Sequence, residues 1–91
     1  MTRILDYDIP KQKYFSIKLP IGARILSVGE GGDKGNGKLY ALINIDEERT
    51  IRNFRVAKTG MTDMIEEKPK KLDYIGKFNL EGETFHVFEI K

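Results

Sequence analysis

The chain has no cysteine, no tryptophan and a single histidine. Without thiols it can form neither disulfides nor zinc-thiolate sites, and thiol catalysis is excluded with them; the absence suits a reducing compartment. With one histidine, a transition-metal site would depend on carboxylates for its other ligands, an unfavourable donor set, so no metal or other cofactor is expected. No apolar run approaches the roughly 18–20 residues that cross a bilayer as a helix, which argues against a membrane partner. The opening stretch, Met1-Thr2-Arg3-Ile4-Leu5-Asp6-Tyr7-Asp8, places charges where a signal peptide needs apolar residues. Charge of one sign is also scarce. The 16 Lys and Arg against 14 Asp and Glu leave a net charge of +2, too small to imply a nucleic-acid partner.

What remains is a chain of 91 residues, the size of one thin-cored domain over 1–91. At 40% hydrophobic and 33% charged residues it is too apolar for wholesale disorder. Period-two alternation runs from end to end, and helical periodicity hardly occurs. Residues 3–9 set Leu5, Tyr7 and Ile9 against Asp6 and Asp8, and Phe15, Ile17 and Leu19 alternate with Ser16 and Lys18. Leu19-Pro20-Ile21-Gly22 reads as a tight corner before a third strand over 24–28. Residues 38–45 are apolar on both faces, which predicts the centre of a sheet. Asp46-Glu47-Glu48-Arg49 has the length of a hairpin turn leading into a fifth strand over 50–57. A closing hairpin follows over 72–80 and 84–90, with Phe78, Leu80, Phe85, Val87, Phe88 and Ile90 expected in the core. Two stretches do not alternate. The glycine-rich 29–37 predicts a flexible loop, and 59–71 an irregular excursion that Thr62 could cap into a single helical turn near 61–67. The fold predicted is all-β: about seven short antiparallel strands in a small sandwich or partly open barrel.

Gly32-Asp33-Lys34-Gly35-Asn36-Gly37-Lys38 matches the opening of a phosphate-binding loop, but Leu39 stands where Ser or Thr must hold magnesium, and a strand follows where a helix is required. That motif is a decoy. Arg49, Arg52, Arg55 and Lys58 recur every third residue, which on a strand sends successive cations to opposite faces. Arg52 shares the parity of Phe54 and Val56, so it belongs at a strand end, a bulge or an interface, where its guanidinium suits a phosphate or carboxylate. The blander alternative is ion pairing with Asp46 or Glu48. His86, on the face of Phe88 and Ile90, reads as a packed or half-exposed strand histidine. Ser16 and Ser27 sit in strands with no nucleophile elbow, and Asp6 and Asp8 look solvated, so catalysis is not expected.

Taken in order, several blocks resemble a family of small uncharacterised proteins encoded by bacteriophages and prophages. They are Leu19-Pro20-Ile21-Gly22-Ala23-Arg24-Ile25-Leu26-Ser27-Val28, Leu39-Tyr40-Ala41-Leu42-Ile43, Arg52-Asn53-Phe54-Arg55-Val56-Ala57-Lys58-Thr59-Gly60, Tyr74-Ile75-Gly76-Lys77-Phe78 and Phe85-His86-Val87-Phe88-Glu89. The resemblance covers nearly the whole chain and departs in the longer glycine loop and at Ala57-Lys58. It implies a phage origin and expression in the cytoplasm of an infected bacterial host, and it transfers no activity. Short phage proteins of this class are often host-defence antagonists. The function expected is therefore a non-enzymatic binding protein, a homo-oligomer that sequesters an anionic nucleotide-like signal or blocks a host protein. The alternative is a virion structural or assembly protein. In the sequestering form Arg52, Arg55 and Lys58 hold phosphates, Thr59 and Gly60 offer a hydroxyl and an amide, and Tyr40 or Tyr74 stacks a base.

Overall fold

The computed structural model describes residues 1–31, 36–60 and 68–91. Seven strands carry the fold: β1 (Thr2–Asp8), β2 (Tyr14–Pro20), β3 (Arg24–Gly29), β4 (Lys38–Asn44), β5 (Arg49–Lys58), β6 (Leu72–Leu80) and β7 (Glu83–Ile90). A 3-10 turn, Pro69–Lys71, leads into β6. The protein is all-β, as the alternation predicts. The predicted helical turn near 61–67, and most of the phosphate-loop lookalike, lie outside the described residues.

The strands form two antiparallel sheets, of order β1-β4-β3 and β2-β5-β7-β6. The sheets approach where β3 lies along β6 and β2 touches β4, without a ladder joining them into a closed barrel. β4, apolar on both faces, is the centre of its sheet as expected. One connection corrects the sequence reading. The charged segment after β4 is not a hairpin turn: β4 and β5 belong to different sheets, and the segment carries the chain between them. The corner after β2 does the same for β3, closed by the Ala23 N–H donating to the Pro20 carbonyl at 3.0 Å. The pairings that build the sheets, β1 with β4 and β2 with β5, are therefore distant in sequence.

The core lies between the sheets and consists of Ile9, Phe15, Leu19, Ala23, Leu39, Ala41, Ile43, Phe54, Val56, Phe78 and Val87. Phe15 and Phe54 stack at 4.9 Å across β2 and β5, an arrangement that adds to the ~1.5–3 kcal/mol of each large buried apolar side chain. Leu80 and Phe85 pack against this core, whereas Phe88 and Ile90 do not join it. Their parity along β7 is opposite to that of buried Val87, so they face outward, half-buried, on the far side of the four-stranded sheet. The closing hairpin turns on two residues, Glu81 and Gly82, both with positive φ (52° and 80°). That is the geometry of a two-residue turn matching strand twist, and glycine accepts it without a Cβ clash.

Candidate functional site

The register of β5 determines where its cations go. Arg52 lies on the core-facing side and is bound there. Its Nε and Nη2 donate to the two carboxylate oxygens of Glu89 on β7, at 2.5 and 2.7 Å, and Nη1 donates to the Ala23 carbonyl. The forked donor geometry of guanidinium matches a carboxylate with two parallel bonds. The hydrogen bond to Glu89 raises the Arg52 pKa above its usual range. An ion pair is thus present, with Glu89 rather than Asp46 or Glu48 as its partner.

Arg55 points to the opposite face. In register it stands in a row across the four-stranded sheet: Tyr14, Arg55, Phe88 and Tyr74. Only 1% exposed, its guanidinium lies over the Tyr14 ring at 5.0 Å and donates to the Val56 carbonyl, while Nε has no hydrogen-bond partner among the described residues. Tyr74, at the end of the row, meets Phe88 edge-on at 5.4 Å.

Thr59 and Tyr74 converge on His86. The Tyr74 hydroxyl is 3.0 Å from Nδ1, and Thr59 Oγ1 bonds Nε2. Each hydroxyl can donate or accept, so either neutral tautomer of the imidazole is satisfied at both nitrogens. The Thr59 N–H also donates to the Thr84 carbonyl, tying the end of β5 to the start of β7. Gly60 follows with φ of 81°. Tyr40 stands apart on β4, against Gly29. The seven predicted site residues therefore do not share one surface. Thr59 and Tyr74 meet at His86, Arg55 is in the row that ends at Tyr74, and Arg52, Lys58 and Tyr40 lie elsewhere.

Lys58 lines a cleft of about 280 Å³ whose other walls the sequence does not single out as a site. Its floor is apolar: Val56, Phe78, Leu80 and Phe85, with the Phe78 and Phe85 rings stacked at 5.3 Å. Its rim carries Lys11 and Lys13 with Gln12 between them, Asn36, and Lys58 paired to Glu83 at 2.7 Å. The polar cluster at 11–13 reads locally as a turn, and only the long-range pairing of β2 with β5 brings it over the β6-β7 hairpin. A second groove, at Ala23, Arg24, Leu26 and Ile75, has the already paired Arg52 and Glu89 in its wall. Among the described residues no group of three or more His, Asp or Glu is placed to hold a metal ion.

Neither curated proteins nor solved structures give a match to this chain. A family model does, over residues 1–91, and on that match the chain belongs to the uncharacterised family described as Domain of unknown function (DUF7352).

Proposed function

We propose that this chain is a non-enzymatic bacteriophage accessory protein that antagonises host defence by binding. In this reading it acts in the cytoplasm of the infected host as a homo-oligomer that sequesters an anionic, nucleotide-like molecule. The phage assignment rests on the order of sequence blocks set out above. The binding assignment rests on the cleft. Stacked Phe78 and Phe85 offer an apolar floor for a planar ring, and Lys11, Lys13 and Lys58 surround it with positive charge. Gln12 and Asn36 supply amides able to read the edge of a base. At about 280 Å³ the space suits one nucleoside, with phosphates projecting to the lysine rim. This moves the expected phosphate contacts from Arg52 and Arg55, which are held inside the fold, to the rim lysines, where a phosphate competes with Glu83 for Lys58.

Native mass spectrometry and calorimetry with mononucleotides, cyclic oligonucleotides and ADP-ribose derivatives test the reading. One ligand per chain is expected. Lys58→Ala should weaken it about 10–100-fold, the worth of one charge-assisted hydrogen bond. Lys77→Ala, on exposed β6 outside the cleft, should leave affinity unchanged. Silence across the panel, or a Lys58→Ala variant that binds like wild type, would overturn the assignment. Pull-down of host proteins and a search of purified virions would then separate a protein blocker from a particle component.

A further inference from the structure

β1, β3, β2 and β6 are the outer strands of the two sheets. For β3, β2 and β6 the neighbouring sheet supplies contacts, β3 with β6 and β2 with β4. Among the described residues β1 packs mainly on β4, and six of its seven residues are exposed. The flanking bonds reveal which of its backbone groups are left over. The Ile45 N–H donates to the Met1 carbonyl at 3.0 Å, and the Ile9 N–H to the Gly37 carbonyl at 2.9 Å. Odd-numbered residues thus turn their amides and carbonyls toward β4, and Thr2, Ile4, Asp6 and Asp8 turn theirs outward.

Free edges in natural sheets are blunted by charged side chains, proline or a bulge. β1 has neither proline nor bulge, two of its three charges, Asp6 and Asp8, are met by Lys38 of its own sheet, and its register with β4 runs unshifted from Thr2 to Asp8. It also exposes Ile4 at 62% and Leu5 at 38%. We propose that β1 is the interface between two copies of this chain, paired antiparallel with itself about a two-fold axis through Leu5. Two three-stranded sheets then become one of six strands.

The register follows from the sequence. Only a centre at Leu5 gives every residue from Thr2 to Asp8 a partner. It sets Leu5 against Leu5, Arg3 beside the Tyr7 ring, Thr2 opposite Asp8 and Ile4 opposite Asp6, with the outward-turned residues exchanging backbone bonds. Arg3 shares the face of Leu5 and Tyr7, Asp6 and Asp8 lie on the other face opposite Ile4 and Thr2, and no carboxylate faces another. Shifting the centre to Asp6 would oppose two carboxylates and leave strand ends unpaired. Lys38 of each copy's own β4 already sits 2.9 Å from Asp6 and 3.7 Å from Asp8, which removes acidic repulsion at the seam. This interface gives a surface to the homo-oligomeric part of the proposed reading. It uses no residue of the cleft, so failure of the ligand experiments would leave it standing, and its own failure would leave them standing.

Light scattering across a concentration series, with native mass spectrometry, should find a species of twice 10.5 kDa. Ile4→Pro removes an outward N–H and leaves the ladder to β4 whole, so it should give a monomer with the wild-type circular dichroism spectrum. Ile51→Lys, at a site 59% exposed on the other sheet, should remain dimeric. In the wild-type dimer the Ile4 and Asp6 amides should exchange slowly with deuterium. A monomeric wild type, a dimer that survives Ile4→Pro, or fast exchange at both amides would overturn the proposal. Should Ile4→Pro fail to fold, the wild-type exchange rates decide it alone.

Discussion

Two arginines three residues apart on β5 meet the cost of burying a guanidinium in different ways. Arg52 keeps its charge by facing a carboxylate: its side chain and that of Glu89 are 22% and 17% exposed. Losing one partner strands the other, so Arg52→Met should cost about 2–3 kcal/mol in urea denaturation. Combining it with Glu89→Leu should restore part of that loss, because the unpaired carboxylate leaves with it. A single Arg52→Met variant as stable as wild type would deny the pair this role. At the surface Lys38 acts on acid stability. Its hydrogen bond and charge hold the Asp6 carboxyl below its usual range. The stability this adds is present above the titration of an aspartate in the unfolded chain, and it is lost as pH falls through the depressed folded value. NMR titration should therefore place Asp6 lower than a peptide aspartate, and Lys38→Met should return it upward and flatten the acid limb of the stability curve. An unmoved Asp6 in that variant would refute the assignment. For Arg52 the sign is reversed. Its contribution is complete below the ordinary guanidinium range and is lost only as pH rises through the raised value, so it is constant around neutrality.

At the scale of elements, the strands were legible because each is short, alternating and bounded by its own punctuation. Leu5, Tyr7 and Ile9, or Phe15, Ile17 and Leu19, mark a buried face without reference to any other segment. The doubly apolar run around Leu39 to Ile43 likewise identified a central strand. Sheet membership was not legible, since a four-residue charged link suits a hairpin and a crossing between sheets equally well. Nor does alternation alone say which side of β7 is covered, so the sequence places Phe88 and Ile90 inside, while Glu89, on the other parity, lies within reach of Arg52. The candidate site divides along the same line. Local charge spacing marks Lys58, adjacency to it marks Thr59, and an aromatic ring able to stack a base marks Tyr74, whereas Lys11, Gln12 and Phe85 join the cleft only through long-range pairing. Gly37 shows a further constraint of that kind. A Cβ there would stand 2.5 Å from the Phe78 ring, so the last glycine of the loop serves packing between the sheets.

The whole molecule is flat, with extents of 41 × 30 × 16 Å, and neither sheet has a core of its own. Leu39, Ala41 and Ile43 come from the three-stranded sheet, and Phe15, Phe54, Phe78 and Val87 from the four-stranded one, yet they form one buried cluster. Such an arrangement should unfold as a unit, because exposing the inner face of either sheet exposes the other. Leu39 is fully buried on β4, so Leu39→Ala should cost about 2–5 kcal/mol, a large share of the total for a domain of this size. Native-state hydrogen exchange reads where that cost falls. If the core is shared, the slowest amides of β5 and β7 lose the same protection free energy as those of β4, although the substitution lies in the other sheet. Loss confined to β1, β3 and β4 would instead divide the chain into two separately unfolding units. Each sheet would then have to be stable with one face bare, a condition that three and four strands without a shared apolar layer do not meet.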